Sequence, residues 1–201
     1  MPIARNATLA GSAPDRSDTA LLILDMISDF GFPDGEQVFK AALPAARRIA
    51  RLKRRAESAG VPAIYANDNR GRWRSDFPAL LRHALGEGSR GAPVARLLVP
   101  APRDYCLLKP KHSAFFGTVL ATLLEHLGVR RLVVCGVTAQ QCVLFTANDA
   151  YVRDLELAIP RDCIASESPA KVRFALRYFR EVLGADLAPS VRVRFRPRRR
   201  L

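Results

Sequence analysis

A cysteine that follows a short apolar run is the residue best placed for nucleophilic chemistry. The run Leu132 to Cys135 stops at Gly136, and apolar residues recur with helical spacing from Val143 onward. Cys142 is therefore at the front of a predicted helix, where unpaired N–H groups and the positive dipole end favour an anion. We expect its thiol to ionise near neutral pH and to act as a nucleophile. The alternative is an apolar filler, since free cysteines are often buried.

Two charged residues end other apolar runs. Asp25 follows TALLIL, and Lys109 ends DYCLLK. Ligands of parallel sheets bind outside the carboxyl ends of the strands, so these residues and Cys142 are expected at one edge. Lys109 would compensate the Asp25 carboxylate and stabilise the charge on a tetrahedral adduct, while Asp25 would take the thiol proton. The competing interpretation is a structural Asp–Lys pair, with Cys142 as packing.

Strands and helices alternate along the chain. The first helix contains Pro44, which predicts that its regular part begins there. The predicted strands span residues 19–25, 61–67, 104–109, 132–135, 155–159 and 191–193, and the predicted helices span 36–58, 79–85, 115–127, the segment after 138, and 169–183. This alternation implies right-handed crossovers and a sheet covered on both faces.

We therefore predict one α/β domain over residues 19–193. Its expected architecture is a three-layer αβα, Rossmann-like sandwich with a mostly parallel sheet of about six strands. Residues 1–18 form a polar stretch that we expect to be a flexible lead-in, and residues 194–201 form a basic tail.

The formal net charge of +13 comes mainly from arginine, which is concentrated in residues 47–55 and in RVRFRPRRR at 192–200. Such charge suits nucleic acid or an anionic membrane. The tail has only Phe195 for stacking, so we expect a solvated surface and neither a nucleic-acid nor a membrane partner. The sequence has no apolar run near the ~20 residues of a membrane span and no secretory signal. Its four scattered cysteines favour a cytoplasmic protein with free thiols.

Three motifs resemble those of the isochorismatase-like cysteine hydrolases, the superfamily that includes nicotinamidase and N-carbamoylsarcosine amidohydrolase. They are TALLILDMISDF, KPKHSAFFGTVL and GVTAQQCVLFTANDA. With the order of strands and helices, the resemblance covers the chain from about residue 19 to residue 193. It implies that Asp25, Lys109 and Cys142 form a catalytic triad. It also implies a homo-oligomer.

The resemblance further implies a cis peptide bond at Val137–Thr138 and an oxyanion hole formed by the backbone N–H groups of Thr138 and Cys142. The sequence departs from the family where Ala139 replaces the usual threonine. Thr138 and Gln141 also match a capping box, which would commit the Cys142 N–H to the Thr138 carbonyl. The two geometries are alternatives, and we adopt that of the family.

The histidine pattern argues against a metal. Nicotinamidases that resemble this chain carry Asp-x-His after the second strand, whereas this sequence has Asn67, Asp68 and Asn69. The remaining histidines have no common ligand spacing and are expected at the surface or in helix packing: His83, His112 and His126. We therefore expect no metal and no cofactor, and nicotinamide is a poor candidate substrate.

The substrate pocket is assigned from the loops that follow the strands. Four residues are candidate wall residues, the alternative being that they pack a lid or an oligomer interface: Phe30, Asn69, Trp73 and Phe115.

These features predict hydrolysis of a C–N bond in a small amide or ureido compound through a thioester on Cys142. The first alternative is vinyl-ether cleavage as in isochorismatases, which generally lack the nucleophilic cysteine. The second is binding of nucleic acid or an anionic surface through the arginine-rich tail, which would be steeply salt-dependent. The third is a scaffold that retains the fold without turnover.

Overall fold

A single parallel sheet forms the centre of the computed structural model, which describes residues 16–69, 71 and 75–195. The strands are β1 (Thr19–Leu24), β2 (Ala63–Asp68), β3 (Tyr105–Lys109), β4 (Arg131–Val137), β5 (Glu156–Ala158) and β6 (Ile164–Ala165). Their order is β3-β2-β1-β4-β5, with β6 paired to β4. Every pairing is parallel. The predicted α/β fold with a mostly parallel, six-stranded sheet is confirmed.

Helices cover both faces of the sheet. They are α1 (Gly35–Ser58), α2 (Phe77–Leu85), α3 (Ala92–Leu97), α4 (Leu120–Leu127), α5 (Leu144–Tyr151) and α6 (Pro169–Glu181). Side chains alternate across β1, so Leu21 and Ile23 pack in the cluster with α1, α2 and α3. Leu22 and Leu24 pack in the cluster with α4, α5 and α6. The fully buried β1 therefore forms the middle layer of three.

The structure differs from the sequence prediction in several elements. Residues 191–193 are not a strand, because Ser190–Arg192 forms a 3₁₀ turn. The sixth strand is the two-residue β6, too short to recognise from its pattern. The helix predicted from residue 115 begins at Leu120, since Gly117 interrupts the chain with a φ of 64°.

Pro44 is inside α1 and does not mark its beginning. The buried face of the helix includes Val38, Ala42 and Ile49, on both sides of the proline. Pro44 itself is exposed, so the helix is held by the packing of its other face despite the missing N–H group. Sequence analysis also missed α3, whose six residues follow a glycine-rich stretch.

Contacts with the folded domain extend slightly beyond its predicted bounds. The Ser17 N–H donates to the Leu127 carbonyl at 2.9 Å. At the other end, the Arg131 guanidinium donates to the Arg194 carbonyl at 3.2 Å, and the Phe195 ring is 6.0 Å from the Arg55 guanidinium. Most of the predicted lead-in and tail lies outside the described residues. Within the described residues, no helix is long and apolar enough to cross a membrane.

Gly136 allows β4 to approach the end of β1. It has a φ of 123°, and a Cβ atom there would be 2.1 Å from the Leu24 carbonyl oxygen. A side chain is therefore excluded both by backbone conformation and by space. Leu24 immediately precedes Asp25, so this close approach helps to set the geometry of the strand ends.

We expect Gly136→Ala to lower the free energy of unfolding by about 3 kcal/mol, because the backbone and the contact with Leu24 must both be rearranged. Gly184→Ala is the matched control: its φ is 60°, but a Cβ there would meet nothing within 4 Å. The control should lose only about 1–2 kcal/mol, from backbone conformation alone. Urea unfolding measures both, and equal losses would contradict the steric argument.

Candidate active site

The ends of three strands bring together the residues predicted to form a triad. Asp25 follows β1, Lys109 ends β3, and Cys142 is in the π-helical turn Ala139–Val143 that follows β4. The Lys109 Nζ is 2.9 Å from Asp25 Oδ2 and 3.4 Å from Cys142 Sγ. One ammonium group therefore contacts both the carboxylate and the sulfur.

The length of the lysine side chain makes this contact possible. Strand β2 separates β3 from β1, so the two strands are roughly 10 Å apart. Lys109 crosses the end of β2 and is fully buried. On the way, its Nζ comes within 3.8 Å of the Asp68 carboxylate. The Asp68 N–H also donates to Asp25 Oδ1 at 2.6 Å, which fixes the other carboxylate oxygen.

Lys109 is held as an ammonium. Burial alone would lower its pKa, but the negative charge of Asp25, followed by the effects of Cys142 and Asp68, outweighs burial and raises it. The charge stays in the protein interior because carboxylates face it.

The Cys142 thiol is held neutral in the resting site. Burial and the charge of Asp25 raise its pKa well above the usual 9.0, while Lys109 acts in the opposite direction. This direction of the thiol pKa runs against the prediction that the thiol ionises near neutral pH. Sequence analysis placed Asp25 near the thiol, but it considered only the helix dipole for the thiol pKa and could not include burial, which is a tertiary effect. A neutral thiol needs a base, and Asp25 is the carboxylate that contacts the same Lys109 ammonium as the thiol.

The backbone between β4 and α5 does not form the capping box. The Val137–Thr138 peptide bond is cis. The Thr138 carbonyl accepts from the N–H groups of Gln141 at 3.1 Å and Val143 at 3.2 Å, a π-type pattern that skips Cys142. The Thr138 hydroxyl bonds to the Gln141 side chain at 3.3 Å and not to a backbone N–H. The structure thus removes the objection that the Cys142 N–H is committed to the Thr138 carbonyl.

A polar network joins this turn to the segment between β6 and α6. Gln140 Nε2 donates to the two Glu167 carboxylate oxygens at 3.1 and 3.2 Å. The Ser166 hydroxyl is within hydrogen-bond distance of Gln140 and Glu167. Burial opposes the Glu167 charge, but hydrogen bonds from Lys171 and Ser166 lower its pKa to about 2. The Glu167 carboxylate therefore fixes the side chain of Gln140, which is two residues before Cys142.

A cavity of about 380 Å³ opens above the strand ends. Its wall is formed by Asp25, Ile27, Ser28, Gly31, Phe32, Asn67, Asp68, His112, Val137, Thr138, Gln141 and Cys142. The carboxylate, the thiol and the cis peptide therefore face one space that a small molecule can enter.

The candidate wall residues that the structure describes are not among those that line this cavity, so their place in a substrate pocket stays a prediction. Phe30 is fully buried, and its φ of 53° accompanies a ring packed against Phe32 and Phe39. The Phe115 ring packs 4.7 Å from the Arg153 guanidinium. The Asn69 side chain accepts from the N–H of residue 71 at 2.8 Å. Trp73 lies outside the described residues.

Other cavity residues were missed. His112 was expected at the surface or in helix packing, but it lines the cavity with its ring 5.2 Å from that of Phe145. Asn67 and Gln141 could have been found from their positions, one near the end of β2 and the other next to Cys142. Sequence position does not show which way a side chain points.

The described residues offer no metal centre, since no three His, Cys, Asp or Glu side chains among them could hold one ion. The His83 Nε2 atom is instead within hydrogen-bond distance of Asp29 Oδ2, at 2.8 Å.

Comparison with known proteins places these features in a family. The family model of the isochorismatase domain matches residues 19–188. The chain is 40% identical over 178 residues to the isochorismatase family protein YaaI of Bacillus subtilis, covering 89% of this chain and 97% of that protein. It is 35% identical over 176 residues to the phenazine biosynthesis protein PhzD1 of Pseudomonas aeruginosa, with coverage of 86% and 83%.

A solved structure gives the same result. The N-carbamoylsarcosine amidase of Thermoplasma acidophilum superposes with a TM-score of 0.67 at 26% identity, covering 88% of this chain and 98% of that one. The matches confirm the resemblance that the three motifs indicated.

Lys109→Met should lower the free energy of unfolding by about 3–5 kcal/mol, because the Asp25 carboxylate would remain buried without its cation. When Asp25→Asn is already present, the loss of unfolding free energy caused by Lys109→Met should be smaller by about 1–3 kcal/mol. Lys40→Met is the surface control, since the Lys40–Glu36 pair is exposed and its loss should change stability far less than the loss of Lys109 does. Denaturant unfolding of the two single variants and the double variant measures these losses. If the losses of the single variants simply add in the double variant, the coupling between Lys109 and Asp25 is contradicted.

Asp25→Asn should shift the alkylation of Cys142 by iodoacetamide to lower pH. The substitution removes a negative charge that raises the thiol pKa, so the reactive thiolate forms at a lower pH. Lys109→Met should shift the profile to higher pH, because a positive charge is lost. Site-resolved mass spectrometry measures the profiles, with the exposed Cys106 as internal standard. Profiles that coincide with that of the unaltered protein would contradict this electrostatic account.

Proposed function

The chain belongs to the isochorismatase family and is a hydrolase, and on this basis we propose that it cleaves a C–N bond of a small amide or ureido compound through a thioester on Cys142. One observation carries the proposal: the buried Lys109 ammonium contacts both Asp25 at 2.9 Å and Cys142 at 3.4 Å, beside the cavity. A carboxylate, a cation and a thiol in contact are the parts that covalent acyl transfer requires.

The first step is attack on the substrate carbonyl. Asp25 takes the thiol proton as the Cys142 sulfur forms a bond to the carbonyl carbon, and the C=O electron pair moves to oxygen. Because the resting thiol is neutral, proton transfer and attack are coupled to substrate binding. Lys109 stabilises the carboxylate before transfer and the negative charge of the adduct afterwards.

The backbone N–H groups of Thr138 and Cys142 are proposed to hold the oxyanion. Both residues line the cavity, and the π-type bond from Val143 to the Thr138 carbonyl skips Cys142. An N–H donor aimed at the developing charge is worth about 3–4 kcal/mol in the transition state. The bonds from Gln140 to Glu167 would keep these donors in place.

The adduct then collapses to products. The protonated Asp25 gives its proton to the leaving nitrogen as the C–N bond breaks, which leaves a thioester on Cys142. Water loses a proton to the same Asp25 and attacks the thioester carbonyl. The second adduct expels the sulfur, which takes the proton back, and releases the acid. Atoms and charge balance, and both enzyme groups return to their initial states.

The proposed substrate class agrees with the size of the site and with a relative. A cavity of about 380 Å³ is near the lower end of the range for small-molecule sites, roughly 300–1,000 Å³. The name of the Thermoplasma acidophilum relative specifies an N-carbamoyl compound. A small acyl compound with a carboxamide or ureido group fits both observations.

We also propose that the protein works as a homo-oligomer in the cytoplasm. Several large apolar side chains in or next to α4, α5 and α6 are exposed and would be covered by a second copy: Phe116, Val119, Phe145, Val152 and Phe174. The four cysteines are free thiols, as expected in a reducing compartment.

Cys142→Ala should reduce hydrolysis of small amides and ureido acids by at least about 10³-fold, because the covalent route disappears. Ammonia release and product analysis over a panel of such compounds measure the loss. Cys106→Ala is the matched control and should retain activity, since this exposed thiol is outside the cavity wall. A loss smaller than about tenfold would reject the nucleophile. Vinyl-ether cleavage that survives in Cys142→Ala would favour the isochorismatase alternative.

A further inference from the structure

Asn67 lines the cavity, and its carboxamide has a buried acceptor that is not used within the described residues. Asn67 is the penultimate residue of β2, only 2% exposed, and it lines the cavity with Asp25 and Cys142. Its Nδ2 donates to the Ile27 carbonyl at 2.9 Å. The reversed orientation would place two acceptors against each other, so this bond identifies which atom is the oxygen.

The Asn67 oxygen has no hydrogen-bond partner within the described part of the chain. Oδ1 is one of the few buried side-chain polar atoms there without a donor. Burying an acceptor without a donor is unfavourable, and such groups in folded proteins are usually paired. An unpaired acceptor in the wall of a reactive cavity is suited to a ligand that brings an N–H group.

The order of the strands indicates which part of the substrate would meet Asn67. Strand β1 lies between β2 and β4, so Asp25 is placed between Asn67 on one side and the Thr138–Cys142 turn on the other. If the carbonyl oxygen faces the turn, the nitrogen on the same carbon faces β1 and β2. Asp25, which would protonate that nitrogen, and Asn67 are both on that side.

We propose that Asn67 Oδ1 accepts a hydrogen bond from the scissile nitrogen of the substrate and thereby determines specificity. The site would take primary amides and ureido compounds that carry an N–H at this nitrogen, in preference to esters, which carry none. This inference rests on the proposed function and specifies its substrate class. The bond would also orient the nitrogen, so that its lone pair faces the proton on Asp25 in the collapsing adduct.

Two alkylating agents of similar size test the acceptor without a known substrate. Iodoacetamide carries an NH₂ group where methyl iodoacetate carries a methoxy group. For each cysteine, the rate of alkylation by iodoacetamide is divided by the rate with methyl iodoacetate. In the unaltered protein we expect this ratio to be about tenfold higher at Cys142 than at Cys106, which corresponds to one hydrogen bond. Both agents react with the same thiolate, so the ratio of their rates cancels the pKa of each cysteine.

Asn67→Leu supplies the matched variant, since leucine has nearly the same shape and no acceptor. In this variant, the ratio of the iodoacetamide rate to the methyl iodoacetate rate at Cys142 should fall to the value found at Cys106. The same ratio at Cys106 should stay unchanged. A preference retained by the variant would overturn the proposal. The unaltered protein provides a second test that does not depend on the variant folding: equal ratios at Cys142 and Cys106 would also overturn it.

The experiment separates this proposal from the proposed function. Alkylation requires only that the agents enter the cavity and reach the thiol, so its outcome is independent of turnover. If Cys142→Ala retained amide hydrolysis while the unaltered protein showed the alkylation preference, the covalent mechanism would fail and the Asn67 contact would stand. The reverse pair of results would reject Asn67 and keep the mechanism.

Discussion

A fully buried ammonium group constrains the whole active site. Lys109 comes from the edge strand β3, yet its charge is placed against Asp25 at the end of the central strand β1. A buried charge is tolerated only with close compensation, so the ends of β1, β2 and β3 must keep their register. The Asp68 N–H fixes one Asp25 oxygen, and Lys109 is next to the other. Gly136 lets β4 approach β1 closely enough to bring the Cys142 turn to the same point.

The same charges divide the chemistry among three residues. Lys109 lowers the pKa of the Cys142 thiol, but burial and Asp25 raise it by more, so the resting nucleophile keeps its proton. Asp25 therefore adds to the effect of burial in keeping the thiol neutral, and it is also the base proposed to activate it. This arrangement keeps an unreactive thiol in the free enzyme and makes proton transfer part of the attack.

Much of the site could be predicted because strand ends are readable in the sequence. Asp25, Lys109 and Cys142 each follow or end an apolar run, and parallel strands deliver such residues to one edge. Side-chain direction could not be read in the same way. Phe30 was assigned to the pocket, but it has a left-handed backbone conformation and its side chain packs in the core. Asn67 and His112 line the cavity, although the sequence did not predict it. The thiol pKa could not be read from the sequence either, because it depends on burial and on a carboxylate distant in sequence.

The most direct test of this account is the ultraviolet absorbance of the Cys142 thiolate, measured as the difference between the unaltered protein and Cys142→Ser during a pH titration. The account predicts a neutral thiol through neutral pH, with thiolate absorbance appearing only above the ordinary thiol pKa of 9.0. A thiolate step near neutral pH would contradict it. Cys142 would then be ionised by Lys109 and the turn alone, and Asp25 would not be the base that activates it.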